Sequence, residues 1–506
     1  MARQDEILKE RLKKIADLRK EGINPYPYFY EKVDASVLQE KYKGLGNDSA
    51  TGDVVAVAGR VMTIREMGKL SFSTLRDGSG TMQIILREGD TPKNTHDFFK
   101  KYADSGDFIG VTGIVARTKR GELSVIAKEV VLLSKSLLPL PEKWHGLQDK
   151  EERYRKRYLD LVMNPEVHGV FKKRQIIIDT MREILRKEDF MEVETPVLQS
   201  IYGGASARPF TTHLNALDID LYLAISPELY LKRIIVGGVE RVFTICKNFR
   251  NEGIDAFHNP EFTMMEYYVA YKNYEYHIQF TEKLFEELKK RLNLGEVIEF
   301  QGKKINLKTP FKRIKFRDLL IENAGIDIDK ANNFEKLKRA ILNKELKEVN
   351  VRDCKHYGAL LDELYKRVVR PSIIQPTFLT HYPVEMIALA KRNEEDPTKI
   401  NSVQLLIDGA EIIKAYDELN DPLDQEHRLK EQAKLLKEGD QEAMPLDEDF
   451  IHALKIGMPP TAGYGLGIDR LTMLLTNSPS IRDVILFPFM KPEKVEDKKK
   501  SEGKKI

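Results

Sequence analysis

Three short stretches decide the expected fold of this chain: Phe249-Arg250-Asn251-Glu252, His258-Asn259-Pro260-Glu261-Phe262 and Gly465-Leu466-Gly467-Ile468-Asp469-Arg470. The run 241–249 predicts a strand that Arg250 closes, and after a turn at Gly253 the chain returns as a second strand over 262–270. The third stretch predicts a glycine-rich strand end followed by a helix that Arg470 opens. Two arginines are therefore expected where regular elements end or begin.

Arg250 and Arg470 fit the chemistry of a polyphosphate site. Arginine presents several rigid donors and stays charged at any working pH, so two fixed guanidinium groups neutralise charge that shifts as pyrophosphate leaves. Taken alone, the first stretch is most often a strand-end charge pair and the third a turn. Together, in this order, they resemble motifs 2 and 3 of class II aminoacyl-tRNA synthetases. Phe190-Met191-Glu192-Val193-Glu194-Thr195-Pro196 resembles motif 1, a strand after a helix over about 171–188, which implies a homodimer in that family.

The composition indicates a multidomain protein without membrane spans. The chain has 506 residues, 42% of them hydrophobic and 32% charged, enough for two or three domains. It lacks a run of about 18 apolar residues, and its charged N-terminus is unlike a signal peptide, which predicts a cytoplasmic protein with no membrane partner. Cys246 and Cys354 are too few for a disulfide framework or a thiolate metal site, and buried, unpaired thiols are expected. A formal charge of +3 does not by itself indicate nucleic-acid binding.

The first 140 residues contain a helical and a β-rich segment. Residues 1–50 begin with an amphipathic helix whose basic face either contacts RNA or is simply solvated. Residues 51–140 contain five candidate strands and one helix near 95–102, between the third and fourth strands, and this order predicts an OB-fold barrel. The candidate strands are 54–63, 70–76, 81–86, 107–116 and 122–132.

Such barrels bind single strands by stacking bases on aromatic side chains. Phe72, with Arg65 and Gln83, matches in spacing the uridine-reading residues of the anticodon domain of class IIb synthetases. Without that resemblance, Phe72 is more often a residue of the barrel core.

The remainder of the chain follows the linker Leu137-Leu138-Pro139-Leu140-Pro141. The segments 143–147 and 153–161 are similar to the passage between the two domains of lysyl-tRNA synthetases. Residues 141–490 predict a class II catalytic domain, a mostly antiparallel sheet flanked by helices, so that the fold class is α+β with an all-β N-terminal domain. A helical, charged insertion is expected at about 275–370, and a basic disordered tail at 491–506.

The expected amino-acid pocket is acidic. A free lysine needs acceptors for two ammonium groups, because a buried unpaired charge costs several kcal/mol. In the resemblance, Glu228 accepts the α-ammonium, Glu266 and Glu418 accept the ε-ammonium, and Tyr268 and Tyr416 flank the aliphatic stem. The octapeptide Gly203-Gly204-Ala205-Ser206-Ala207-Arg208-Pro209-Phe210, which includes the lysine-binding Gly204, forms the closing loop and is the most specific match. The resemblance to the bacterial type of class II lysyl-tRNA synthetase covers roughly residues 1–490.

The same resemblance implies a nucleotide site with Mg2+. The ATP-binding residues it implies are Arg250, Glu252, His258, Asn259, Phe262, Glu411, Gly467 and Arg470. Three positions depart from the family pattern. Gln404 stands where one of two magnesium-binding glutamates is expected beside Glu411, and its amide oxygen is a weaker ligand. Lys414 replaces an asparagine, and it either competes with the substrate's ammonium or points away. Phe257 replaces a frequent arginine.

The resemblance implies a lysine--tRNA ligase that forms lysyl-adenylate from lysine and ATP, with Arg250 and Arg470 as the catalytic residues, and then transfers the lysyl group to the 3′ end of lysine tRNA. Three alternatives stay open. An aspartyl- or asparaginyl-tRNA synthetase requires a basic pocket, whereas Glu266 and Glu418 are acidic. A ligase that modifies a protein with lysine would lack the N-terminal barrel. A non-catalytic or altered-specificity paralogue that binds RNA is motivated by Gln404 and Lys414.

Overall fold

The structure is a computed structural model that describes residues 2–141 and 147–492. The chain divides into two compact units, Met1–Leu147 and Gln148–Ile506. The passage 143–146 and all but the first two residues of the tail expected at 491–506 lie outside the described residues. No helix in the described ranges has both the length and the apolar character needed to cross a membrane.

The first unit is a five-stranded barrel with three helices. Each strand pairs with two neighbours in the order β1-β2-β3-β5-β4, so that β4 also closes on β1. The elements are α1 Ala2–Lys20, α2 Ala35–Lys41, β1 Ser49–Met67, β2 Leu70–Arg76, β3 Thr81–Arg87, α3 Lys93–Tyr102, β4 Phe108–Arg117 and β5 Leu123–Ser134. The five expected strands and the helix between the third and fourth are all present, and β1 begins earlier, at Ser49, because its first residues pair with the end of β4.

The second unit is built on an eight-stranded mixed sheet covered by helices. Its helices are α4 Lys150–Arg155, α5 Arg157–Met163, α6 Pro165–Lys187, α7 Glu228–Val236, α8 Tyr274–Arg291, α9 Phe316–Ala324, α10 Phe334–Asn343, α11 Tyr357–Leu364, α12 Pro422–Lys437, α13 Glu448–Ile456 and α14 Ile468–Thr476. Its strands are β6 Met191–Glu192, β7 Leu198–Gln199, β8 Thr211–Leu214, β9 Ile219–Leu223, β10 Arg241–Phe249, β11 Glu261–Ala270, β12 Val297–Phe300, β13 Lys303–Asn306, β14 Lys312–Lys315, β15 Thr377–Thr380, β16 Ser402–Ile407, β17 Ala410–Asp417 and β18 Thr461–Gly467.

The large sheet has the order β14-β15-β16-β17-β18-β11-β10-β6. The β14–β15 and β10–β6 pairs are parallel, and the pairs between them are antiparallel. Successive side chains along each strand point to opposite faces of the sheet. One face, which includes Tyr267 and Tyr464, packs on α6, α8 and α14 in a large apolar core. Residues of the same strands that point the other way line a cleft.

Two expectations about this unit are wrong in detail. The insertion at 275–370 is not simply helical, because β12 and β13 form a hairpin there and β14 joins the edge of the large sheet. The hairpin loop is Gln301-Gly302, and both residues have positive φ, as a two-residue loop of this hand requires. The strand expected over 190–196 is reduced to β6, which pairs only through Met191 and Glu192.

Candidate active site

The cleft on the open face of the large sheet has a volume of about 790 Å³. Every residue that the sequence predicts for ATP, amino acid or metal binding lies along its walls. The set is Gly204, Glu228, Arg250, Glu252, His258, Asn259, Phe262, Glu266, Tyr268, Gln404, Glu411, Tyr416, Glu418, Gly467 and Arg470. These positions come from segments up to about 260 residues apart, and the sheet brings them together.

The register of four strands forms the floor of the cleft. Glu266 pairs with Gly465, Gly465 with Lys414, and Lys414 with Gln404. Directly paired residues of antiparallel strands point to the same face. Because Gly465 has no side chain, the floor is open in the middle of this row.

One end of the cleft is a buried acidic cluster around Lys232. The Lys232 ammonium bonds the Glu228 Oε1 at 2.7 Å and forms a short ion pair with Glu418, and all three side chains are almost completely buried. The Tyr416 hydroxyl donates to Glu228, 2.9 Å from each oxygen. Burial lowers the pKa of Lys232, but Glu228 and Glu418 outweigh burial and raise that pKa above its ordinary value. Lys232 therefore stays charged, and it neutralises part of the acidic pocket.

Glu266 lies beside this cluster, and no cation in the described part of the chain is bonded to it. Its carboxylate accepts hydrogen bonds from Ser226 Oγ at 3.1 Å and from the Tyr268 hydroxyl at 3.4 Å. Burial, followed by repulsion from Glu228, raises the pKa of Glu266 to about 8. A buried carboxyl with this pKa is set to ionise when a cation enters the pocket.

Two glycines keep the acidic end open. Gly204 has a φ of +84°, which L side chains rarely adopt, and a Cβ there would lie 2.8 Å from the Glu228 Cβ. A Cβ on Gly463 would lie 1.9 Å from the Glu418 Oε1 and 2.6 Å from the Tyr268 ring. Both positions therefore require the absence of a side chain.

The other end of the cleft presents two guanidinium groups. The Arg250 guanidinium lies 5.1 Å from the centre of the Phe262 ring, and its Nε and Nη2 are each 3.4 Å from the Ile225 carbonyl oxygen. These long contacts leave the guanidinium free to take a stronger acceptor. The return strand β11 begins at Glu261, one residue before the predicted start, and Phe262 pairs with Asn248 on β10, two residues before Arg250.

Arg470 lies in the first turn of α14 and is held through His258. The His258 Nδ1 is 2.8 Å from a carboxylate oxygen of Asp255, and its Nε2 is 3.0 Å from the Arg470 Nη2. This network assigns the imidazole tautomer, with the proton on Nδ1 and the lone pair of Nε2 accepting from the arginine. The Arg470 Nη1 also donates to the backbone oxygen of Glu411 at 3.3 Å.

A buried ion pair and a backbone hydrogen bond hold the start of α14 against α6 and β11. Asp469 is 2.6 Å from the Arg174 Nη1 and accepts the backbone N–H of Thr263 at 2.7 Å. Asn259 is also buried; its side-chain nitrogen donates to the Glu261 backbone oxygen, while its Oδ1 accepts no hydrogen bond from any residue that the structure describes. Glu252, in contrast, is exposed at the mouth of the cleft.

The predicted metal ligands differ in their availability. Glu411 is half-buried and faces the cleft, whereas the amide oxygen of Gln404 accepts hydrogen bonds from the Tyr382 and Tyr365 hydroxyls. Its two lone pairs are thus engaged, which weighs against Gln404 as a ligand, although that role stays a prediction. Asp408, in the β16–β17 turn, pairs with Lys303. Within residues 2–141 and 147–492, no group of three or more His, Cys, Asp or Glu side chains is arranged to hold a metal. A single carboxylate, that of Glu411, is enough for a magnesium ion that is bound mainly through the phosphates of a nucleotide.

In the first unit, Arg65, Phe72 and Gln83 share the outer face of the barrel. Arg65 pairs directly with Phe72, and Gln83 is the diagonal neighbour of Phe72 on β3. Phe72 is half-buried in a small cluster with Ile85 that is separate from the barrel core. Phe72 therefore lies outside the main barrel core, and its role in binding RNA stays a prediction.

Sequence reasoning missed Lys232, Ser226 and Gly463. Lys232 follows Glu228 by four residues on α7, a spacing at which helix side chains meet, so this signal was readable. Gly463 and Ser226 gave no such signal, because their roles depend on contacts with Glu418 and Glu266, which belong to other segments of the chain. The two cysteines are free and partly buried, not fully buried as expected.

Comparison with known proteins gives two family matches and many relatives. The family described as tRNA synthetases class II (D, K and N) matches residues 149–491, and the OB-fold nucleic acid binding domain matches residues 55–133. The chain is 47% identical to the Lysine--tRNA ligase of Thermotoga maritima over 495 residues, 97% of either chain. It is 47% identical to Lysine--tRNA ligase 2 of Methanosarcina mazei over 484 residues, 96% of this chain and 94% of that one. It is 45% identical to the Lysine--tRNA ligase of Nostoc punctiforme, over 97% of this chain and 88% of that one.

Proposed function

This chain belongs to the lysine--tRNA ligases of the class II aminoacyl-tRNA synthetases, and from that premise we propose which residues activate L-lysine with ATP and transfer it to tRNA. The observation that carries the assignment is the continuity of one cleft, with three buried carboxylates at one end and two arginines at the other. Glu228, Glu266 and Glu418 are suited to the two ammonium groups of lysine. Arg250 and Arg470 are suited to the phosphates of ATP.

In the first step, a carboxylate oxygen of lysine bonds to the α-phosphorus of ATP. The bond from that phosphorus to the bridging oxygen breaks, and pyrophosphate leaves with the electron pair. Arg250 holds the α-phosphate and Arg470 the distal phosphates, while Phe262 stacks under adenine and His258 orients Arg470. Magnesium, when bound beside Glu411, supplies further charge neutralisation at the phosphates. The step needs no side-chain nucleophile, because positioning and electrostatics lower the barrier.

In the second step, a ribose hydroxyl at the 3′ end of lysine tRNA attacks the activated carbonyl and AMP leaves. ATP–pyrophosphate exchange with a panel of amino acids tests the assignment most directly. Exchange that depends on lysine is the expected result, and exchange with aspartate or asparagine would contradict it. Absence of exchange with every amino acid would instead support the non-catalytic paralogue that Gln404 and Lys414 suggest.

The affinity for lysine is expected to rise with pH between about 6 and 8. The pKa of Glu266 is about 8, so in the free enzyme this carboxyl is protonated at neutral pH. Entry of an ammonium group expels the proton, and a reaction that releases a proton is favoured by higher pH, by up to about tenfold per unit below the pKa. Calorimetric titration of lysine in two buffers of different ionisation enthalpy measures both the affinity and the number of protons released on binding. An affinity independent of pH would exclude Glu266 from the pocket.

We propose that the outer face of the barrel binds the anticodon of lysine tRNA through Arg65, Phe72 and Gln83. The half-exposed Phe72 ring supports this proposal, since stacking of a base needs an accessible aromatic face. Phe72→Ala is expected to reduce the free energy of tRNA binding by about 1 to 3 kcal/mol. The charging of tRNA should therefore weaken, while adenylate formation stays intact. Leu70→Ala, a neighbour in the same small cluster, is the control for lost packing. Equal loss of charging and adenylate formation in Phe72→Ala would indicate a folding role.

We further propose a homodimer. The short edge strand β6 and the segment after it expose apolar side chains that a monomer leaves in water. These are Met191, Val197, Leu198 and Ile219, each more than 40% exposed. Analytical ultracentrifugation of the purified chain distinguishes a dimer from a monomer.

A further inference from the structure

Lys414 places an ammonium group along the cleft. It lies on β17 between Gln404 on β16 and Gly465 on β18, and its side chain shares their face of the sheet. Within the part of the chain that the structure describes, neither a hydrogen bond nor an ion pair occupies its ammonium. Neither neighbour in the row is anionic, because Gln404 is neutral and Gly465 has no side chain. A half-buried ammonium in such a place is suited to an anionic ligand.

Gln404 strengthens this preference for an anion. Its amide oxygen accepts from the Tyr382 and Tyr365 hydroxyls, which leaves the amide N–H groups as the available part of the side chain. Those groups are donors and do not bind a cation. Gln404 and Lys414 together therefore present donors to the cleft at a place where a carboxylate would attract metal.

The position of Lys414 along β17 indicates which anion it can contact. Tyr416 and Glu418 follow it on the same face, about 7 and 14 Å further along toward the acidic end. In the other direction Glu411 also faces the cleft. It is three residues from Lys414, an odd spacing that would place it on the opposite face of a regular strand, but a β-bulge in β17 opposite Leu405 and Leu406 adds one residue. The Glu411 backbone is bonded to Arg470 at the phosphate end. Lys414 thus stands between the ammonium acceptors and the phosphate-binding arginine.

We propose that the Lys414 ammonium binds the junction of the two substrates, the lysine carboxylate and the α-phosphate, in place of a metal ion held between residues 404 and 411. This inference rests on the proposed function. As the carboxylate oxygen bonds to phosphorus and the electron pair leaves on pyrophosphate, the Lys414 ammonium neutralises the oxygens that come together. Its distance along β17 from Glu418 argues against competition with the substrate's ε-ammonium.

The test compares ligands with and without the carboxylate. Lys414→Met is expected to weaken binding of lysyl-sulfamoyl-adenosine, a stable adenylate analogue, and to raise the KM for lysine, each roughly 10- to 100-fold. Binding of lysinamide, which has both ammonium groups and no carboxylate, is expected to be unchanged. Lys290→Met, an exposed lysine of α8 on the opposite side of the sheet, is the matched control. Tighter binding of both lysine and lysinamide would show that Lys414 competes with the substrate's ammonium. Unaltered binding of all ligands would place Lys414 in solvent.

A double variant tests whether the Lys414 ammonium takes the place of a metal ion. Gln404→Glu combined with Lys414→Met is expected to recover pyrophosphate exchange lost in Lys414→Met, and to require magnesium more steeply than the wild type, because a pair of carboxylates again holds a metal. A double variant less active than Lys414→Met at every magnesium concentration would overturn the proposal. Failure of the wild type to exchange with lysine would overturn the proposed function instead, so the two failures are distinguishable.

Discussion

Glu266→Gln is expected to abolish most lysine-dependent pyrophosphate exchange while ATP still binds. The side chain is buried, and within residues 2–141 and 147–492 its oxygens accept hydrogen bonds from neutral groups, Ser226 and Tyr268, so no bonded cation stands in for the entering ammonium. A neutral amide removes the charged acceptor at a cost of roughly 2 to 5 kcal/mol in lysine binding. At pH 7 the loss is smaller by about 1.4 kcal/mol, because the wild type must first release the proton of a carboxyl whose pKa is about 8.

The measurement is lysine and ATP affinity by calorimetry, with exchange rates at saturating ATP. Glu261→Gln is the matched control, since Glu261 begins the same strand but is exposed and makes only a surface pair with Lys247. Such pairs contribute about 0 to 1 kcal/mol, and the control should therefore keep nearly full activity. Equal lysine affinity in Glu266→Gln and wild type would remove this residue from the pocket, and loss of ATP binding would point to a collapsed cleft.

Gly463→Ala is expected to remove lysine binding without unfolding the protein. A Cβ at this position would lie 1.9 Å from a Glu418 oxygen, so the carboxylate must leave its place beside Lys232. Displacement of one partner of a buried ion pair is expected to cost about 3 to 5 kcal/mol, and the pocket loses an ammonium acceptor as well. Lysine affinity should fall by more than about 100-fold, which corresponds to at least 2.7 kcal/mol.

Gly465→Ala is the comparison for this variant. The two glycines lie two residues apart on β18, but a Cβ on Gly465 meets its nearest neighbour, the Met264 Cε, at 3.4 Å, an ordinary contact. A much smaller loss of lysine affinity is expected there. The thermal unfolding midpoint of both variants, measured by calorimetry, separates a local change in the pocket from general destabilisation. Similar lysine affinities for Gly463→Ala and Gly465→Ala would contradict the steric argument.

Several parts of the fold followed from local sequence patterns. The strand over 241–249, its return and the helix that follows Gly467 were predicted almost to the residue, because alternation, turn residues and a glycine-rich strand end are local signals. The hairpin of β12 and β13 was missed, although Gln301-Gly302 is a turn signal, because the surrounding charged residues favoured a helix. The resemblance to class II synthetases was confirmed by the match over 149–491.

The sequence by itself determined the family, and it predicted the five strands of the barrel and the carboxylates and arginines that line the cleft, because motif identity and periodicity are properties of consecutive residues. Only the tertiary structure decided the charge state and availability of these groups. Lys232 neutralises part of the charge of Glu228 and Glu418, two tyrosines engage the amide of Gln404, and a bulge in β17 turns Glu411 toward the cleft. Apart from the Lys232–Glu228 pair on α7, these effects depend on contacts between residues distant in the chain, and burial determines how strongly their charges interact. Such contacts leave no periodic trace in the sequence.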